Sequence, residues 1–182
     1  MMQMMRWIAN NILRFRRKED GSATVEFVII LPFFMVMFVS VFESGLIMTK
    51  QMMLERALDI TVRAIRLSPQ NANITHDTVR QMICDNALIF NDCVNSLQVE
   101  LAPVSSMTWV MPPREADCID RDSELDPVLS FNPGLQSDVM FVRACMVVDP
   151  MYPNMGLGFI LTKDPSGGVR LISSSAFAIE PI

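Results

Sequence analysis

From Phe27 to Phe42 no position carries a charge, and Phe, Val, Ile, Leu and Met dominate whatever helical phase is tried. Sixteen such residues make only about 24 Å of helix at about 1.5 Å each. Adding Ser22–Val25 and Ser44–Met48 gives enough length for a hydrocarbon core of roughly 30 Å. A helix apolar on every side has no face for water, so the pattern predicts a transmembrane helix over 22–48. Glu26 and Glu43 then fall near the two interfaces, where an ionised group costs less than at the bilayer centre. Pro32 lacks an N–H, which takes the helical partner from the Val28 carbonyl and predicts a kink or a locally open turn.

Past Gly45 the pattern becomes amphipathic. Leu46, Met53, Ala57, Ile60, Ala64 and Leu67 recur at three- and four-residue steps, with Lys50, Glu55, Arg56, Asp59, Arg63 and Arg66 between them. One long helix is expected, half in the membrane and half covering a sheet, stopping before Pro69. Thr75 can cap a second helix of about fourteen residues with Val79, Met82, Ile83 and Ala87 inward. From Val94 the period drops to two. Leu97, Val99 and Leu101 predict a strand ended by Pro103, Met107–Met111 a second short one, Asp138–Val148 the strongest, and Val169–Ile179 the last. Gly156–Thr162 has no clear assignment. The fold class is α+β: a long N-terminal helix, then a small exported domain over 49–182 with a second helix and three or four antiparallel strands.

Charge sets the orientation. Residues before Gly21 carry Arg6, Arg14, Arg16, Arg17 and Lys18 against Glu19 and Asp20, a net of +3, while the remainder is −8. The basic leader, 1–21, stays on the cytoplasmic side and the acidic part is exported. An acidic domain repels phosphate, which argues against nucleic-acid binding. All four cysteines, Cys84, Cys93, Cys118 and Cys145, lie in the exported part. In an oxidising compartment an even count favours disulfides, and the absence of a close C-x-x-C pair argues against zinc. Three pairings exist. The assignment made here is Cys84–Cys93, stapling the end of the second helix, and Cys118–Cys145, tying a loop to a strand.

Candidate chemistry is sparse. His76 is the only histidine and stands at a helix start, so no Cys–His or Ser–His dyad is expected away from it. Asp117, Asp120, Asp122, Glu124 and Asp126 alternate as calcium ligands do, but lack the glycine and terminal glutamate of an EF-hand; a solvated acidic loop is the better reading. Met151–Phe159 is apolar, uncharged and punctuated by glycines: a buried crossover or an exposed docking patch. Gly156 and Gly158 are not a phosphate loop, since the basic residue and the following helix are missing. No cofactor, metal or small-molecule substrate is expected, and no enzymatic activity.

The leader has one unusual feature. Small residues, Gly21-Ser22-Ala23, precede the apolar run, whereas an ordinary secretory signal carries them after it. Basic leader, Gly21, four residues, then Glu26 and Phe27 entering an apolar helix: this resembles the prepilin processing site of type IV pilins. More narrowly Val25-Glu26-Phe27, Leu31-Pro32 and Glu43-Ser44-Gly45 resemble the TadE-like minor pseudopilins of tight-adherence pili, with looser echoes in Val142-Arg143-Ala144 and Ala176–Pro181. The resemblance implies cleavage between Gly21 and Ser22 by a prepilin peptidase, with Glu26 and Phe27 as assembly residues. It also implies the bacterial inner membrane as site, with the major pilin and other pseudopilins as partners. The competing reading is an uncleaved, single-pass scaffold or binding protein. The mature N-terminus separates the two.

Overall fold

The structure, a computed structural model, describes residues 22–68, 74–105, 107–113, 118–119 and 130–180. The leader, Gly21 and the five acidic loop residues from Asp117 to Asp126 lie outside the described residues.

One helix, α1, runs from Ser22 to Arg66 and passes through Pro32 without a break in its assignment. Two shorter helices follow, α2 (His76–Asn86) and α3 (Cys93–Ser96). The sheet is built from β1 (Leu97–Val104), β2 (Val139–Val148) and β3 (Val169–Ala178), and the one-turn helix α4 (Leu157–Ile160) lies between β2 and β3. The three strands are antiparallel in the order β1-β2-β3. The α+β class, the long apolar helix and the short second helix are thus as the pattern predicts.

Alternation along the strands decides what the sheet buries. Leu97, Val99 and Leu101 on β1, and Met140, Val142, Ala144 and Met146 on β2, turn inward with Leu171 and Phe177 of β3. Leu54, Ala57, Leu58, Val62 and Ile65 of α1 and Val79 and Ile83 of α2 meet them in a single core. Each fully buried Leu, Ile or Val contributes about 1.5–3 kcal/mol. The upper half of α1 is therefore as much a core element as any strand.

The stripe on α1 is rotated from the expected one. Ile60 and Leu67 are exposed, and the buried line runs through Leu54, Leu58, Thr61, Val62 and Ile65. Both lines keep helical spacing and share Ala57. The buried one presents the larger continuous apolar surface, with two leucines a turn apart.

Three other expectations change. Met107–Met111 is not a strand: the Met107 and Trp109 amides turn back to Ser105, Trp109 has φ +52°, and the side chains are exposed. The edge it would need on β1 is met by Ser130–Asn132, which exchange hydrogen bonds with Leu101. β1 continues through Pro103 to Val104, which an edge strand tolerates because its outer N–H groups need no ladder partner. Helix α2 spans 11 residues, starting at the Thr75 cap, whose Oγ1 accepts from Thr78 N–H at 3.2 Å. It stops early because the chain must reverse between Ala87 and Asp92 to bring Cys93 to Cys84, Cα–Cα 5.6 Å.

Candidate functional site: the stem and the loop clasped to it

The most apolar stretch of α1 is buried by none of the described residues, and Phe27, Phe33, Phe34, Met37 and Phe38 are all exposed. A helix of this length and composition fits a single-pass membrane anchor. Glu26, exposed on the first turn, sits four residues beyond Ser22, so the two share a helix face one turn apart. Phe27 projects beside it, 62% exposed. Both are exposed, so none of the described residues covers their side chains.

Where the stem meets the head, the arrangement is more elaborate than the sequence suggests. Glu43, expected near an open interface, is only 1% exposed. Its carboxylate accepts two backbone hydrogen bonds, Met151 N–H to Oε1 at 2.9 Å and Tyr152 N–H to Oε2 at 3.1 Å. One turn down the helix, Ser40 Oγ donates to the Val36 carbonyl at 2.7 Å and accepts from Leu157 N–H at 3.2 Å. A carboxylate held by two N–H donors is the charged, stronger kind of hydrogen-bonded contact. It also answers the cost of removing Glu43 from water.

Two glycines let the loop lie this close. A Cβ on Gly156 would come 2.3 Å from Ser40 Oγ, and its φ of +56° is strained for any side chain. A Cβ on Gly158 would come 2.3 Å from the Tyr152 carbonyl oxygen. The stretch from Met151 to Phe159 thus serves as the crossover between β2 and β3, and is fastened along α1 by Glu43 and Ser40. Sequence reasoning passed over Ser40 and placed Glu43 near a membrane interface, with no partner named for it. The signal was present: Glu43 and Ile47 fall on the same helical line as Leu54, Leu58 and Ile65, so the correctly phased stripe carries a carboxylate at its membrane end.

On the far side of the sheet Arg143, 7% exposed, faces Glu100 in the β1–β2 register. Its Nε and Nη2 donate to Glu100 Oε2 at 3.0 and 2.5 Å, and Nη1 to the Pro113 carbonyl at 2.6 Å. Cys118 and Cys145 are bonded beside this pair on β2, Cα–Cα 5.2 Å, as Cys84 and Cys93 are at the end of α2. His76 packs edge-on against Phe131 at 5.5 Å between ring centroids and lies 3.8 Å from Asp77. No curated protein and no solved structure matches the chain. The family model described as TadE-like protein matches residues 21–63, the stem from its small-residue start to the helix that enters the core. Over that stem, about a quarter of its length, the chain is similar to TadE-like proteins.

Proposed function

We propose that this protein is a minor pseudopilin of a tight-adherence pilus, a non-catalytic assembly component whose working surface is the stem. One observation carries the reading: the family match takes in the whole apolar half of the stem, whose most apolar stretch no described residue covers, and ends where the helix enters the core. An apolar helix without internal partners is suited to bilayer lipid and to the stems of other pilins. In this reading a prepilin peptidase cuts between Gly21 and Ser22, where a residue without Cβ threads easily. The acidic head lies in the periplasm, with the cleaved basic leader on the cytoplasmic side of the inner membrane.

Glu26 then becomes the fifth residue of the mature chain. An unpaired carboxylate costs up to about 2.5–3.5 kcal/mol at the worst depth in the membrane. The new ammonium of Ser22 can answer that charge on the same chain or on a neighbouring one, and pairing across subunits offsets part of the cost only when the helices are in register. Glu26 thereby sets the stagger between stems, and Phe27 packs beside it.

The test is the intact mass of the protein extracted from membranes, with a Glu26→Gln variant alongside. Cleavage leaves Ser22 first, and Gly21→Val abolishes the shortening. Glu26→Gln should keep insertion and cleavage yet lose co-purification with the major pilin, and surface pili with it. A full-length mass in wild type, together with normal piliation in Glu26→Gln, would favour an uncleaved anchor instead.

A further inference from the structure

A hydrocarbon core of roughly 30 Å takes about 20 residues of upright helix. Counted from Ser22, that length ends near Val41, and any tilt carries the boundary further along the helix. The boundary cannot move the other way, because Arg16, Arg17, Lys18, Glu19 and Asp20 immediately precede Gly21 and charged groups are expelled from the core. Yet the loop after β2 meets the stem within this span: Gly156 lies against Ser40 and the Val36 carbonyl. The loop and the outermost turns of the span occupy the same depth.

Its composition and bonding agree with that depth. From Pro150 to Thr162 there is no charged residue. Phe159 and Ile160 are 72% and 78% exposed, and Met151, Tyr152 and Met155 are exposed beside them. Six backbone N–H groups of the loop are answered within the protein, as hydrocarbon favours. Met151 and Tyr152 N–H go to Glu43, and Leu157 N–H to Ser40. The N–H groups of Met155, Phe159 and Leu161 go to carbonyls of the loop itself. Lys163, at the end of the uncharged run, turns its ammonium onto the Pro153 carbonyl at 2.6 Å.

We infer that the 151–161 loop is a second membrane contact, a foot that seats Phe159, Ile160 and Met155 in the outer headgroup–acyl boundary while Tyr152 lies at its polar edge. The inference rests on the stem crossing a bilayer. The occupant is lipid because the loop lies against Val36 and Ser40 of the span, and Met37 and Val41 beside them on the helix are themselves exposed. An aromatic ring with a polar tip is the type of residue enriched at that level.

Indole fluorescence in vesicles tests it on the full chain. With Trp7 and Trp109 replaced by Phe, Phe159→Trp and Ile160→Trp each place one reporter on the foot, and Phe34→Trp places one in the stem. All three positions are exposed, so the head keeps its packing. In phosphatidylcholine vesicles brominated along the acyl chain, both foot reporters should emit blue-shifted. Bromine near the headgroup end should quench them more strongly than bromine near the methyl end, with the reverse order for the stem reporter. A quenched stem reporter with unquenched, red-shifted foot reporters overturns the foot and leaves the stem standing. Blue-shifted but unquenched foot reporters, with a shift lost on dilution in lipid, would put a second copy of the chain on the loop and overturn it too. If no reporter is quenched, the bilayer-crossing stem fails and the foot fails with it.

Discussion

Three glycines and one glutamate separate what the residues do by what surrounds them. Glu43→Ala strips the acceptor from the Met151 and Tyr152 amides, and each part-buried donor left unpaired costs up to about 1–3 kcal/mol. The expected result is lower stability in detergent and lost exchange protection at those two amides. Glu43→Gln, which keeps one acceptor oxygen, falls between the variant and wild type. Gly156→Ala puts a methyl into Ser40 and a side chain at φ +56°, a strain of about 1–3 kcal/mol. It should open the loop to protease, as should Gly158→Ala, which runs into backbone. Gly45 provides the contrast, since a Cβ there would meet nothing within 4 Å. Gly45→Ala should raise helix stability by about 0.5–1 kcal/mol, read as a higher melting midpoint with an unchanged protease pattern.

Between strands, the Glu100–Arg143 pair is the costliest contact to break from one side. Both side chains are nearly covered, 12% and 8% exposed, and an abandoned buried charge costs about 3–5 kcal/mol. Arg143→Ala should be worse than Glu100→Gln, because it also releases the Pro113 carbonyl and with it the segment before it. Thermal melting of the two variants checks the order. The same strands show what sequence can carry. Period two identified β2 and β3 nearly to the residue, because the inward positions of β2 are apolar throughout and those of β3 are apolar at Val169, Leu171 and Phe177, with Ser173 the buried polar exception. It failed at Met107–Met111, where pattern and propensity are strand-like but the β1 edge is met by Ser130–Asn132 instead. It also misphased α1: Leu46–Leu67 and Leu54–Ile65 are both regular, and only the sheet opposite decides between them. Glu43 escaped for a related reason, since its two partners lie 108 and 109 residues away in sequence and donate from backbone, which leaves no mark on residue type.

For the molecule as a whole, stability depends on a small core reinforced by two covalent links. Cys84–Cys93 closes a separation of 9 residues and Cys118–Cys145 one of 27. Loop-closure entropy makes these worth about 2.7 and about 3.6 kcal/mol respectively. Replacing Cys118 should therefore lower the unfolding midpoint more than replacing Cys84. Thiol reagents should then label Cys145 in the first variant and Cys93 in the second. Labelling that crosses the pairs would assign a different connectivity. The core also takes its wall from α1, so a truncation beginning after Arg66 should not fold, whereas one beginning before Leu54 keeps that wall.

The clasp at Val36, Ser40 and Glu43 has a mechanical consequence. It lies on the same helical line as Ile47 and Leu54, so stem and head are keyed along one azimuth over several turns. The head cannot swivel about the stem. A neighbour gripping the helix can approach only through the remaining arc, and any torque it applies passes directly to the sheet. The bearing of the head is thereby set wherever the stem is seized, and a chain with Glu43 unkeyed would turn as a loose rotor.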